Sequence, residues 1–196
     1  MKHILFYLSI ILLFSSCVSK EEKLEKQRVI ETQIKQKQED EKKQKFEQSL
    51  NEILFLIKSS NINYLNSKYI NQNLGIYKVF IDDVSEKLNY TFSRNIEIID
   101  NFIEDITFLY EDITFNCSSQ NDSLYGWSKD GVFVSSVFKN ISNKLQIDNN
   151  IKEILNGSKR VIITNNIVFY LSYIDNSWYI TLIDEASFDC IYEDIQ

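Results

Sequence analysis

Three β-rich runs close this chain with almost nothing between them: residues 160–164, 167–174 and 178–183. Only Asn165-Asn166 and Asp175-Asn176-Ser177 separate them. A parallel crossover needs about a dozen residues, so each run must fold back beside the one before it. An antiparallel meander is therefore expected at the C-terminal end, and the rest of the domain has to be built around that sheet.

Upstream, Leu50, Ile53, Leu54 and Ile57 recur at helical spacing and predict an amphipathic helix over 46–59. Ile62, Leu65 and Tyr69 suggest a second, shorter helix over 61–69, and Gly75 breaks that pattern before a β-rich run at 76–81. Residues 96–116 stay open. Ile99, Phe102, Ile103, Ile106, Tyr110 and Ile113 line one helical face, but the Thr- and Phe-rich end of the stretch reads equally as a strand reaching Cys117. Lys129-Asp130-Gly131 before Val132, Phe133 and Val134 is a hairpin signal. Helical stretches are expected at 138–147 and 150–155, the latter stopped by Asn156-Gly157. The expected class is α+β, with N-terminal helices packed on a curved antiparallel sheet that ends in the three-stranded meander. That element order is similar to cone-shaped folds like that of nuclear transport factor.

The part of the chain able to form a core is bounded on its N-terminal side by residues 18–48, nearly all Lys, Glu and Gln. Residues 20–48 carry 9 basic and 8 acidic side chains. Leu24, Val29, Ile30 and Ile34 do not sustain heptads, whereas Glu22–Lys26, Glu31–Lys35 and Glu39–Lys43 sit at i,i+4 in the order that supports a helix. Residues 17–48 are read as a solvated, partly helical stalk, with a partner-binding helix as the alternative. Residues 49–196 form the single expected domain, with 11 basic and 20 acidic residues and a net charge of −9. Such a surface repels phosphate backbones, which argues against nucleic acid as a partner.

The first residues place the chain. Lys2 precedes an apolar run from Ile4 to Phe14, shorter than the about 20 residues a membrane span needs. Phe14-Ser15-Ser16-Cys17 resembles the lipobox of bacterial lipoprotein signal peptides, with Phe14 where an aliphatic residue is usual. The resemblance implies that residues 1–16 are removed and that Cys17 is acylated (palmitate among its chains), which would anchor the domain to a membrane of the cell envelope outside the cytoplasm. An ordinary cleaved signal with a chance cysteine is the alternative. Export would leave Cys117 and Cys190 where disulfides persist, and the Cys-x-x-Cys spacing of redox pairs is absent. A structural disulfide is expected, with two buried thiols as its rival.

Chemistry is sparse. The lone histidine is His3, inside the leader, and glycines stand only at 75, 126, 131 and 157. Histidine-based triads and dyads, histidine-ligated metals and phosphate-cradling glycine loops are thus not expected, and no cofactor is assigned. Asp100, Glu104, Asp105, Glu111 and Asp112 crowd one segment. They invite a Ca²⁺ or glycosidase reading, but lack the alternating ligands and glycine of a calcium loop and read better as a wet helix face. Ser128-Lys129 and Ser158-Lys159 read as turn residues, because strand neighbours point to opposite faces. Tyr125, Trp127, Tyr170, Tyr173, Trp178 and Tyr179 are the richest aromatic set. Most should fill the core; Tyr125, Trp127, Trp178 and Tyr179 are the ligand-binding candidates.

Three pieces together resemble a group of small bacterial lipoproteins with no known activity: the lipobox-like start, residues 125–133 (Tyr-Gly-Trp-Ser-Lys-Asp-Gly-Val-Phe), and residues 178–184 (Trp-Tyr-Ile-Thr-Leu-Ile-Asp) running on to Asp189-Cys190. Leu74-Gly75-Ile76-Tyr77 fits a further element of that group. The resemblance spans about 61–190 and implies one intact domain with the Cys117–Cys190 disulfide. The expected function is non-enzymatic: a lipid-anchored envelope protein binding a partner protein or small ligand. A carboxylate-dependent enzyme acting on envelope glycans and a purely structural spacer are the alternatives.

Overall fold

The computed structural model describes residues 2–97, 106–117, 125–135, 147–188 and 190, with side chains from Lys23 onward. The chain divides into two compact units, Met1–Gln44 and Lys45–Gln196. One helix, α1 (Lys2–Lys58), contributes to both. No glycine or proline interrupts it, so nothing local ends the helix before residue 58.

In the first unit the described side chains, Lys23 to Gln44, are all exposed, Leu24, Val29, Ile30 and Ile34 included. Short-range pairs support the helix: Gln36 Nε2 donates to Asp40 Oδ1 at 3.0 Å, and Lys37 meets Glu41 at 3.9 Å. No helix among the described residues is long and apolar enough to cross a membrane.

In the second unit the helix changes character. Phe46, Leu50, Ile53, Leu54 and Ile57 are buried along one face, the spacing the sequence predicted. The helix then stops without a glycine. Ser60 takes φ +56°, its N–H bonds to the Ile57 carbonyl, and Asn61 N–H bonds to the Leu56 carbonyl at 2.9 Å. This is a Schellman stop with serine in the left-handed position. Asn61 then caps α2 (Ile62–Tyr69) through its side chain.

The strands are β1 (Ile76–Asp82), β2 (Lys87–Ser93), β3 (Phe108–Tyr110), β4 (Phe115–Asn116), β5 (Gly126–Trp127), β6 (Val132–Ser135), β7 (Lys159–Ile163), β8 (Ile167–Ile174) and β9 (Ser177–Asp184), with helix α3 (Asn149–Asn156) before β7. Seven form one sheet in the order β2-β1-β9-β8-β7-β6-β3; β4 and β5 pair separately. The protein is α+β, and β7-β8-β9 is the expected antiparallel meander. Asp175 and Asn176 supply the two positive φ angles, +48° and +65°, that a two-residue hairpin turn needs. Between Tyr170 and Leu171 the register slips by one, leaving Thr181 as a bulge in β9.

The sheet is mixed, not wholly antiparallel as expected: β1 runs parallel to β9 and β3 parallel to β6. Both pairings join strands distant in sequence, where no short turn dictates direction. The Asp130-Gly131 hairpin is not formed either. The turn exists, with Gly131 at φ +135°, but β5 pairs with β4 while β6 enters the large sheet between β7 and β3. All four residues of β6 are buried, so an interior sheet position satisfies them better than an exposed two-stranded ribbon. Within 96–116, the described residues 106–116 contain strands β3 and β4 and no helix. The stretch 98–105 lies outside the described residues, as do residues 138–146 of the helix expected over 138–147.

One face of the sheet packs on α1 and α2 through Ile76, Val161, Phe169, Leu171, Trp178 and Ile180. The other carries Val79, Phe133, Ile162, Val168, Tyr170 and Leu182, packed with Leu155 of α3 and Trp127 of the small sheet.

Candidate functional site

The structure separates the four aromatic candidates. Trp178 points into the first face, 3 % exposed, with its ring edge-on to Phe46 at 5.0 Å and tilted on Tyr173 at 5.1 Å. Tyr179, next along the strand, turns the other way and is half-buried. Trp127 sits on the opposite side of the sheet, half-buried, edge-on to Phe115 at 5.2 Å and to Phe188 at 5.8 Å. Tyr125, 59 % exposed, leans on Phe115. Tyr125 and Trp127 thus share one cluster, and Trp178 and Tyr179 belong elsewhere.

Cys117 and Cys190 form a disulfide with Cα atoms 5.4 Å apart. It ties the residue after β4 to the residues just beyond the 3₁₀ turn Ala186–Phe188, so the small sheet and that turn are joined covalently. Beneath them lies a buried polar group that the sequence did not single out. Arg160 of β7 is 3 % exposed and its Nη2 donates to Ser187 Oγ at 2.9 Å. Ser187 Oγ in turn donates to Asp184 Oδ2, and Ser187 N–H donates to Asp184 Oδ1 at 2.9 Å. Serine therefore relays between a buried guanidinium and a fully buried carboxylate, which answers the high cost of burying either charge alone. The guanidinium carbon stands 5.9 Å from the Trp127 ring centre, within cation–π range. Arg160 Nε and Trp127 Nε1 have no hydrogen-bond partner among the described residues. A second buried polar chain runs from Ser158 through Ser172 to Thr181, with oxygens 2.5 and 2.6 Å apart.

A cleft of about 810 Å³ opens where β1, β2 and the end of β9 meet the β7–β8 turn. Phe92 and Phe188 stand in its walls, and Ile76, Ile96, Ile167, Val168 and Ile183 supply apolar lining. Thr91, Ser93, Asn95, Asn165 and Asn166 supply hydroxyls and amides; Lys78, Glu97, Asp184 and Glu185 supply charge. Lys78 is held by Glu185 at 2.7 Å. Phe92 is placed by Gly75. A Cβ on that glycine would lie 2.4 Å from the Phe92 ring, and its φ of +70° is one that side chains rarely allow. Phe188 links the two regions, because it lines the cleft and also packs on Trp127.

A smaller cleft of about 280 Å³ includes Trp178 and Tyr179 with Lys45, Glu52, Lys68 and Tyr69. Lys68 Nζ lies 2.5 Å from Glu52 Oε1. The ammonium's hydrogen bond holds the Glu52 carboxyl below its usual range, and the same bond raises Lys68. Burial pushes the Tyr69 hydroxyl up, with a further rise from its bond to Glu52.

Of the clustered acids, Glu111 pairs with Lys129 and Asp112 Oδ1 accepts from Ser135 Oγ at 2.8 Å; Asp100, Glu104 and Asp105 lie outside the described residues. Ser128 Oγ accepts from the Thr114 N–H at 3.3 Å, and Ser158 Oγ bonds to the Ile154 carbonyl at 3.2 Å, both apart from any Ser–Lys pair. Among the described residues no group of three His, Cys, Asp or Glu is placed to hold a metal ion. Comparison with protein-family models, curated proteins and solved structures returns no match.

Proposed function

We propose that this protein is a non-enzymatic binding module, lipid-anchored through Cys17 in a bacterial cell envelope with its domain outside the cytoplasm. The ligand or partner contacts the cleft between β1, β2 and the end of β9. The cleft itself carries this reading. Its volume falls within the roughly 300–1,000 Å³ of ligand sites, and it combines an apolar lining with a few polar groups. Elsewhere in the domain, polar side chains that could invite a catalytic reading are engaged in structural roles: Glu111 with Lys129, Asp112 with Ser135, Arg160 with Ser187. The lipobox-like Phe14-Ser15-Ser16-Cys17 supports the anchor, and the disulfide suits an oxidising compartment.

Thr91→Trp tests the cleft, because it adds bulk from an exposed position that lines it. A screen of small amphipathic compounds should yield some that raise the melting temperature of the full chain and leave the variant unmoved. Compounds that stabilise both proteins equally would place binding elsewhere and defeat the proposal.

A further inference from the structure

The cleft adjoins an edge strand whose outward groups follow from the bonding of its neighbour. The Val79 carbonyl accepts from the Glu185 N–H at 2.8 Å, so Val79 turns its backbone groups toward β9. Val79 lies opposite Tyr90, which makes that pair non-hydrogen-bonded and aims the Tyr90 backbone away from β1. By the two-residue period Leu88 and Phe92 face outward too. The Tyr90 N–H is capped by its neighbour's side chain, Asn89 Oδ1, at 2.8 Å. The backbone groups of Leu88 and Phe92 meet no partner on that side among the described residues.

Among the described residues this edge lacks the usual guards. β2 pairs with β1 over seven consecutive residues with no register shift, contains no proline, and carries one charge, Lys87 at its first position. The opposite edge, β3, is only three residues long. Charge indicates what would pair there. Lys78 is taken by Glu185 and Asp184 by Ser187, which leaves the exposed Glu97 as the uncommitted charge of the cleft among the described residues. Residues 49–196 carry a net charge of −9, which draws cations and repels anions.

We infer that the cleft's ligand is an extended basic peptide segment, which adds to β2 as a further strand and lays a lysine or arginine side chain in the cleft beside Glu97. The inference rests on the cleft being a binding site and names its occupant. Main-chain hydrogen bonds to Leu88, Tyr90 and Phe92 supply affinity, and the cleft supplies side-chain choice. The half-exposed Phe92 ring offers a surface for the aliphatic stem of the basic residue, whose charged end reaches Glu97. The peptide displaces Asn89 Oδ1 from the Tyr90 N–H.

Calorimetric titration of the full chain with a blocked synthetic peptide of alternating lysine and valine tests this. The peptide should bind, its glutamate–valine counterpart should not, and methylating alternate backbone amides should abolish binding in one register and spare it in the other. Glu97→Gln should weaken binding about two- to fivefold, the worth of one exposed ion pair. Asn89→Ala should tighten it by up to about fivefold, because it removes a competing hydrogen bond. Binding that survives methylation in both registers, or equal binding of the acidic peptide, overturns the inference. If no peptide binds while small compounds still occupy the cleft, the basic-peptide inference fails and the cleft reading stands. If nothing occupies the cleft, both fail.

Discussion

At the scale of single residues, aromatic side chains that look alike in sequence do different work. Trp178 opens a β-rich run and Tyr125 precedes another. The strand's alternation buries Trp178 against Phe46 and Tyr173, whereas Tyr125 precedes a two-residue strand and stays at the surface. Trp178→Ala should cost about 3–5 kcal/mol, as emptying a large buried site does. Tyr125→Ala should change stability by no more than about 0.5 kcal/mol. Urea unfolding of both variants measures this directly, and a mild effect at Trp178 would contradict its place in the core. Arg160 shows where single letters mislead. An arginine at the head of an apolar run reads as a strand end, and its burial depends on Ser187 and Asp184, two dozen residues away.

At the scale of elements, what was legible is what local chemistry decides. The α1 face, the short α2 helix, the β1 run and the C-terminal meander all follow from spacing and turn residues a few positions apart. Pairing between distant strands was not legible. Nothing in Ile76–Asp82 states that its neighbour is β9 or that the two run parallel. β2 did leave a signal in the alternation of Leu88, Tyr90 and Phe92, which short charged flanks obscured. The cleft was invisible, because four separate segments supply its walls and none is unusual in composition. The Cys117–Cys190 bond acts at this scale as well. It closes a loop with a sequence separation of 73 and joins the small sheet to the turn carrying Ser187 and Phe188. In the chain-entropy model such a loop contributes about 4 kcal/mol. Reduction, or paired Cys117→Ala and Cys190→Ala substitution, should therefore lower the urea midpoint by a corresponding amount and alter Trp127 fluorescence. An unchanged midpoint would mean that the bond constrains nothing the fold does not already hold.

For the whole molecule, a polar helical segment precedes an acidic α+β domain, and a cleft of about 810 Å³ lies beside a regular sheet edge that no described residue covers. Such an arrangement suits recognition: the sheet, covered on both faces, supplies rigidity, and the edge and cleft supply contact. The acidic surface then favours basic partners through long-range attraction that salt weakens. The most direct test of this account is a map of backbone amide chemical shifts in the full chain during titration with the lysine–valine peptide. The account predicts changes concentrated at Leu88–Asn95, Asn165–Ile167 and Glu185. Changes confined to Tyr125 and Trp127, or to the cleft around Tyr179 and Lys68, would contradict it.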